Sequence, residues 1–326
     1  MMSSIKMPYL KWSIRLLVVI FIVLVIMFIW LVFPTLKDPA NDFVARKGTL
    51  IKVQMERTVR DKYSVLSDVS LLSSSGLKVR LSYRTPLDKT GTYPLVFILG
   101  GHQTGRKAVQ LLPVQKALVL ASISYPYTAP SKLKGLDWLF FHRAFQQAFR
   151  DTPPAVMLAL EYLQQQDEID KQHIEAVGVS LGAFLIPAPV AMEQSVKRLW
   201  LVQGAAMPEM VIEHNLKNKI QNDFIRLMTA KLFMMMSSGH YLKPERWLAK
   251  VSPRPVIAIN SRQDERLPSR AVSALHEAML QPSELIWLEG QHITPRRRDV
   301  LLQLSEIILN RIAMESRIGP RDSMAQ

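Results

Sequence analysis

The sequence predicts an α/β fold: a mostly parallel twisted sheet with helices on both faces, preceded by one transmembrane helix. Short, wholly apolar runs recur along the chain, and segments with apolar residues at helical spacing lie between them. Apolar runs without alternation are typical of strands buried on both faces of a parallel sheet, and their exchange with helices predicts the layers. A single long apolar stretch near the N-terminus predicts the transmembrane helix.

The 326-residue chain is basic, with 41 Lys and Arg against 27 Asp and Glu and a formal net charge of +14. It has no cysteine, which excludes disulfides, thiolate metal sites and cysteine nucleophiles. The basic residues are scattered, apart from Arg296, Arg297 and Arg298, and no basic helix is interleaved with aromatic residues. We therefore expect no nucleic-acid binding, and the charge favours an anionic membrane surface instead.

The N-terminal segment, residues 1–36, contains 21 consecutive residues without a charge at positions 16–36. At a rise of 1.5 Å per residue, such a run spans a hydrocarbon core of about 30 Å. A backbone inside lipid must satisfy its own hydrogen bonds, so we predict a transmembrane helix at about residues 14–36. Trp12 and Trp30 lie near its ends, where indole side chains prefer to sit.

A cleaved signal peptide is the alternative interpretation, but residues 32–35 (Val-Phe-Pro-Thr) lack the small residues of a cleavage site. Basic residues flank the apolar run almost equally, so their distribution alone does not fix its orientation. N-terminal anchors commonly leave the N-terminus inside. We therefore expect a single-pass membrane protein whose main domain lies outside the cytoplasm, on the periplasmic side of a bacterial inner membrane.

Residues 37–62 are mixed and charged, and we predict a juxtamembrane linker there with one short strand at 50–53. The main domain is expected over residues 63–326. It begins with two β-rich stretches, 63–72 and 77–83, around a Ser-Ser-Ser-Gly cluster that favours a turn. This pattern predicts a β-hairpin.

Short apolar runs predict six further strands. They lie at residues 93–99, 117–124, 174–179, 199–202, 255–259 and 285–288. A helix is expected at 152–165, with Thr152 as its cap and Pro153 and Pro154 in its first turn. Another is expected at 298–313, where apolar residues recur at helical spacing.

Residues 207–250 interrupt this alternation and are rich in methionine and in helix formers. We interpret them as a cap or lid insertion over the carboxyl edge of the sheet. Methionine is an adaptable apolar residue, so the insertion is expected either to line a pocket for an acyl chain or to form part of the ordinary core.

A G-x-S-x-G motif, Gly178-Val179-Ser180-Leu181-Gly182, directly follows the predicted strand at 174–179 and precedes a stretch that can form a helix. A serine on such a sharp strand-to-helix turn presents its oxygen, and the positions two before and two after it must be small. The motif alone is a weak signal, but its context is the one that the chemistry requires. We predict Ser180 as a nucleophile.

A nucleophilic serine needs a general base, and the base needs an acid that orients it. Where the serine lies on such a strand-to-helix turn, these partners follow it in the order acid, then histidine, and each is expected just past the carboxyl end of a strand. Asp264 follows the strand at 255–259, and His292 follows the strand at 285–288. We predict Asp264 as the acid and His292 as the base, with Glu209 as a rival acid.

A carbonyl attacked by Ser180 needs two backbone N–H groups for its developing negative charge. One is expected from Leu181, the residue after the nucleophile. The other is expected from the glycine-containing loop after the strand at 93–99, at the N–H of His102, with Gly101 as the next candidate.

These pieces together resemble the α/β-hydrolase superfamily over about residues 63–313. The matching segments are GGHQTG, GVSLG, NSRQDERLP and GQHITP. Within the superfamily, the chain is more similar to the dienelactone-hydrolase and acyl-thioesterase-like branches than to lipases with an HGGG loop. The resemblance implies a triad of Ser180, Asp264 and His292, with no cofactor and no metal.

Two features depart from the common pattern of the superfamily. Gly100 stands where many members have histidine before the loop glycine. Pro187 and Pro189 lie where the helix after the nucleophile should run, so we predict that this helix is short or kinked.

The expected function is hydrolysis of a carboxylic ester or thioester through an acyl-enzyme, acting on a small-molecule or lipid-like acyl substrate. An amidase or peptidase and an acyltransferase would use the same triad and stay open as alternatives. A non-catalytic binding protein of the same fold is a further alternative, which the presence of all three triad residue types disfavours.

Overall fold

The computed structural model describes residues 7–32, 38–87, 91–101, 104–111, 117–127, 137–294 and 297–317. The chain divides into two units, Met1–Asp38 and Pro39–Gln326. In the first unit the described residues before Asp38 form one helix, α1 (Met7–Val32). The second unit contains the sheet and the remaining helices.

Helix α1 overlaps the predicted transmembrane span up to Val32, and residues 33–36 of that span lie outside the described residues. Its stretch Lys11–Phe28 has a mean hydropathy of 2.4, and none of it is buried within the structure. The helix is therefore long and apolar enough to cross a membrane, a property that it shares with signal sequences.

Nine strands form one sheet in the described part of the second unit. They are β1 (Leu50–Arg60), β2 (Ser64–Ser73), β3 (Lys78–Pro86), β4 (Tyr93–Leu99), β5 (Val119–Ile123), β6 (Ile169–Val179), β7 (Val196–Val202), β8 (Val256–Ser261) and β9 (Ser283–Leu288). Their spatial order is β1-β2-β3-β5-β4-β6-β7-β8-β9. The pairs β1–β2, β2–β3 and β3–β5 are antiparallel, and β2–β3 is the predicted hairpin. All the following pairs in this order, from β5–β4 to β8–β9, are parallel. The predicted fold class is thus confirmed.

Helices cover both faces of this sheet. They are α2 (Pro39–Lys47), α3 (Ala108–Leu111), α4 (Asp137–Leu163), α5 (Leu181–Leu185), α6 (Pro187–Met192), α7 (Pro208–Asn215), α8 (Asp223–Met236), α9 (Pro244–Trp247), α10 (Ser269–Ala278) and α11 (Arg298–Arg317). Residues 207–250 contribute α7, α8 and α9 between β7 and β8. The break between α5 and α6 at Ile186 confirms the predicted interruption of the helix after Ser180.

Side chains along β4 alternate between two buried cores, one on each face of the sheet, and this explains why the strand is apolar at every position. Leu95, Phe97 and Leu99 point into a core that includes side chains of α4, α5 and α6. Val96 and Ile98 point into a second core on the opposite face, which includes side chains of α3 and α11. Every residue of β4 is buried, and full burial of one large apolar side chain contributes about 1.5–3 kcal/mol.

Within the segment predicted as a linker, residues 39–47 form α2, and the strand expected at 50–53 extends to Arg60 as the edge strand β1. Phe43 of α2 is fully buried, and Asp42 binds Arg150 of α4 at 2.6 Å. Strand β1 is almost entirely exposed and is held by backbone pairing with β2. These stabilising contacts are remote in sequence, so the local mixture of charged residues did not reveal them.

The helix expected at 152–165 begins earlier, at Asp137, and Thr152 does not cap it. The Thr152 hydroxyl donates to the Ala148 carbonyl at 2.7 Å, inside the helix, and Pro153 and Pro154 follow in its interior. Each internal proline costs about 3 kcal/mol. The wholly buried stretch 151–160 offsets that cost by packing against the sheet.

Candidate active site

Ser180 lies on the turn between β6 and α5 with φ 53° and ψ −114°, a strained conformation for a residue other than glycine. Its backbone N–H donates to the Val202 carbonyl at 2.9 Å, which ties the turn to the neighbouring strand. Both glycines of the motif are required because a side chain at either position would collide with its neighbours. A Cβ at Gly178 would lie 2.5 Å from Ile186, and one at Gly182 only 1.8 Å from the Leu99 carbonyl oxygen.

His292 follows β9, and its Nε2 lies 2.9 Å from Ser180 Oγ. Nδ1 of the same ring lies 2.7 Å from Asp264 Oδ2. Both side chains are almost completely buried, with exposed fractions of 3% for His292 and 4% for Asp264. A carboxylate only accepts hydrogen bonds, so Nδ1 carries the proton and Nε2 is left to accept from the serine hydroxyl.

Asp264 is itself held by the loop after β8. Its Oδ1 accepts from the Arg266 N–H at 2.9 Å and from the Leu267 N–H at 3.2 Å. The carboxylate therefore has one oxygen fixed to the backbone and the other aimed at His292. The structure brings together the three residues that the sequence singled out.

The rival acid Glu209 lies elsewhere, and so do the histidines His276 and His173. Glu209 belongs to α7 and forms an ion pair with Lys243 at 2.7 Å. His276 contacts Asn260 at 3.1 Å, and His173 contacts Asp170 at 2.7 Å. His173 lies within β6, which begins five residues before the strand predicted at 174–179. The side chain of His142 is outside the described residues.

The expected oxyanion donors are described in part. Leu181 is the first residue of α5, where a backbone N–H has no acceptor within the helix. Gly101 lies beside the nucleophile, since a Cβ on it would be 3.9 Å from Ser180 Cβ. His102 lies outside the described residues.

Tyr125 supports the loop that contains Gly101, a role that no sequence signal indicated. Its hydroxyl donates to the Gly100 carbonyl at 2.5 Å. Burial raises the pKa of the Tyr125 phenol well above its usual range, so the hydroxyl stays protonated and remains a donor.

Glu265 and Gln203 are two further residues that the sequence did not reveal. Glu265 accepts the backbone N–H of His292 at 2.9 Å. Burial raises the pKa of Glu265, but hydrogen bonds led by the one from His292 outweigh it, so that its pKa is lowered. Gln203 follows β7 with φ 48°, and 1% of it is exposed.

The amide of Gln203 fixes both sides of the histidine loop. Its oxygen accepts from the Ile293 N–H, and its nitrogen donates to the Gln291 carbonyl at 3.3 Å. The same nitrogen donates to the hydroxyl of Ser261, the last residue of β8, at 2.5 Å. A lone glutamine after a strand has no distinctive pattern, so only the tertiary structure identifies it.

Gln203→Leu is expected to destabilise the protein by about 1–3 kcal/mol, because it leaves the buried N–H of Ile293 without its acceptor. We also expect kcat to fall by about 10–100-fold, since the loop that carries His292 would shift. Denaturant unfolding and ester hydrolysis would measure the two effects. Gln164→Leu is the control, because the one side-chain bond of Gln164 among the described residues goes to the Leu160 carbonyl of its own helix. Equal changes of stability and of kcat in the two variants would contradict a role of Gln203 in the active site.

A cavity of about 570 Å³ opens over Ser180 and His292. Its walls are mainly apolar side chains of α4, α5, α7 and α8, including Phe145, Phe149, Phe184, Val211, Phe233 and Met234. Among the described residues that line it, Arg266 is the only Lys, Arg, Asp or Glu. The cavity therefore suits an apolar group next to the nucleophile. In the part of the chain that the structure describes, no cluster of three or more His, Asp or Glu side chains could hold a metal ion.

No protein-family model matches this chain, and no curated protein matches it in sequence. Solved structures do share its fold. An acetyl xylan esterase from Paenibacillus sp. R4 is 16% identical, with a TM-score of 0.60 over 82% of this chain and 92% of that one. Acetyl xylan esterase 1 from Thermoanaerobacterium sp. JW/SL YS485 is 14% identical, with a TM-score of 0.56 over 81% and 91%.

A cold-adapted esterase from an Arctic intertidal metagenomic library is 14% identical, with a TM-score of 0.52 over 81% of this chain and all of that one. Identities this low establish the fold and leave the function to be argued from the site. The chain therefore has the fold of these esterases, which is the α/β-hydrolase fold.

Proposed function

We propose that this protein is a membrane-anchored serine hydrolase that cleaves a carboxylic ester or thioester through an acyl-enzyme intermediate. The hydrogen-bonded series from Ser180 through His292 to Asp264 carries the proposal. A serine hydroxyl is a weak nucleophile on its own, and an adjacent, oriented imidazole activates it. The near-complete burial of the imidazole and the carboxylate strengthens their interaction.

In the first half of the reaction, Ser180 Oγ attacks the acyl carbon while Nε2 of His292 takes the hydroxyl proton. Asp264 holds the Nδ1–H tautomer and stabilises the imidazolium that forms. His292 then gives the proton to the departing alcohol or thiol, and the acyl group remains on Ser180. In the second half, His292 activates a water molecule that hydrolyses the acyl-enzyme and restores the serine.

We assign the first oxyanion donor to the N–H of Leu181 and the second to the loop that contains Gly101 and His102. The position of Leu181 at the start of α5 and the nearness of Gly101 to Ser180 support this assignment. Loss of one such donor typically lowers kcat by about 10²–10³-fold.

The apolar cavity next to Ser180 supports an acyl substrate, small or lipid-like, over a charged one. Several solved structures of the same fold are described as esterases, two of them as acetyl xylan esterases, which supports ester cleavage. The helices at 207–250 supply much of the cavity wall, so we interpret this segment as a cap that selects the acyl group.

We further propose that α1 is an uncleaved single-pass anchor with the hydrolase domain on the extracytoplasmic side of the membrane. The hydropathy and length of α1 support the anchor. The commonest orientation of N-terminal anchors supports the sidedness.

A fluorophosphonate probe and a panel of acyl esters and thioesters of graded chain length test the hydrolase proposal. We expect covalent labelling of Ser180 in the folded full-length protein, mapped by mass spectrometry, and no labelling after denaturation. Failure of the folded protein to react would exclude an activated serine. An added alcohol separates the alternatives, since acyl transfer to it in preference to water would identify an acyltransferase.

A further inference from the structure

The exposed face of α8 is apolar, which is unusual for a helix in contact with water. Phe224 is 70% exposed, Ile225 54%, and Met228 and Leu232 are each 38% exposed. At 100° per residue, these four side chains fall within an arc of about 100° on one side of the helix. Exposed helix faces normally carry polar residues, so this arc is a candidate contact surface for an apolar partner.

The opposite face of α8 is fixed to the domain, so the apolar arc has a fixed outward direction. Arg226 is 7% exposed and binds Glu213 of α7 at 2.9 Å and Asp223 at 2.6 Å. Ala230 and Met234 are buried on the same side. A roll of the helix that hid the apolar arc would break these ion pairs and expose the buried residues.

Exposed lysines lie beside the arc and in the segment before α8. Lys217 and Lys219 precede α8, Lys231 lies on the helix about 20° from Phe224, and all three are exposed. Asp223 is the only acidic residue between 216 and 236, and it is paired with Arg226. An apolar stripe with Lys231 beside it and two more exposed lysines just before the helix fits the surface of an anionic lipid bilayer better than it fits a second protein.

Helices α2 and α8 contact the same helix, α4. Helix α2, the first element of the domain, binds α4 through Asp42 and Arg150. Helix α8 binds the same helix one turn away, where the Gln146 side chain donates to the Met236 carbonyl at 3.0 Å.

Helix α8 also forms part of the wall of the active-site cavity. Phe233 and Met234 line the cavity that opens over Ser180, and the Phe233 ring packs edge-on against Phe145 at 5.2 Å. A surface that binds the outward face of α8 would therefore lie next to the cavity.

We propose that α8 docks on an anionic lipid bilayer, with Phe224, Ile225, Met228 and Leu232 inserted at the interface, and that acyl esters in that bilayer enter the cavity beside it. The substrate-entry part rests on the proposed hydrolase activity, whereas the docking part does not. Lysines near the arc supply the electrostatic attraction, and the apolar side chains supply the hydrophobic contact.

Docking is measured directly on the full chain with a fluorescent label. The chain has no cysteine, so Met228→Cys carries a single environment-sensitive dye, and Met314→Cys on α11, a residue 64% exposed, is the matched control. In vesicles of phosphatidylcholine and phosphatidylglycerol, we expect a blue-shifted, quencher-protected label at 228 and a water-exposed label at 314. A label at 228 that stays as water-exposed as the control overturns the proposal, and so does burial of that label by self-association without lipid.

Substrate entry is measured with a double variant. Phe224→Ser/Ile225→Ser is expected to lower hydrolysis of a vesicle-embedded acyl ester by about tenfold or more and to change that of a short water-soluble ester less than twofold. Leu302→Ser/Met314→Ser on α11, with exposed fractions of 45% and 64%, should leave both rates unchanged. Equal losses on both substrates, or equal losses in the two double variants, overturn the proposal. No hydrolysis of any ester by the wild type would instead contradict the hydrolase, while the label would still report docking.

Discussion

Ser180→Ala is expected to lower kcat/KM for every accepted ester or thioester by about 10⁶-fold, because no acyl-enzyme can form without the hydroxyl. Among single substitutions, only the loss of His292 should cost about as much. His292 would keep its place through Asp264 and the bond from its N–H to Glu265. Alanine accepts the backbone angles of Ser180 about as well as serine does, so the fold should persist.

Steady-state kinetics on the ester panel, with thermal unfolding of the same preparations, would measure this effect. Ser273→Ala is the matched control, since Ser273 lies on the exposed face of α10. The control should keep wild-type activity and stability. A Ser180→Ala protein that folds normally and retains more than about a tenth of the activity would show that another group carries out the chemistry.

The elements that the sequence predicted best are those whose signal is local. The buried runs that became β4 and β8 are apolar at consecutive positions, because both faces of those strands are covered. The turn at Ser180 was likewise recognisable, since Gly178 and Gly182 are required by contacts within a few residues of the motif or with the adjoining strand. Asp264 and His292 could be placed because each follows a recognisable strand.

The features that the sequence did not reveal depend on contacts between remote segments. Helix α2 is held by Phe43 and by the pairing of Asp42 with Arg150, and none of these residues is distinctive in its local context. Gln203 acquires its role only because β7, β8 and the histidine loop meet at one place. The same reasoning applies to Glu265, which looks like one more surface carboxylate until the fold brings it to the His292 N–H.

Asp264→Asn is expected to lower kcat by about 10⁴-fold and to leave KM nearly unchanged, because it reverses the tautomer of His292. The carbonyl oxygen of the introduced amide can replace Oδ1 as acceptor for the Arg266 and Leu267 N–H groups, so the loop should keep its conformation. The amide NH₂ then faces Nδ1 and donates to it. A proton on Nε2 would point at Ser180, and the imidazole could no longer accept the hydroxyl proton.

Glu209→Gln provides the comparison, because Glu209 is the other acid that the sequence offered and it pairs with Lys243 instead. We expect that variant to keep kcat within about threefold of the wild type, as is usual when a partly exposed ion pair is removed at a distance from the chemistry. Kinetics of both variants on one soluble ester, with unfolding midpoints as a check on folding, would separate the two acids. A large loss in Glu209→Gln beside a mild one in Asp264→Asn would transfer the orienting role to Glu209. That result would also mean that His292 turns away from Asp264 during catalysis, because in the structure its Nδ1 lies 2.7 Å from the Asp264 carboxylate.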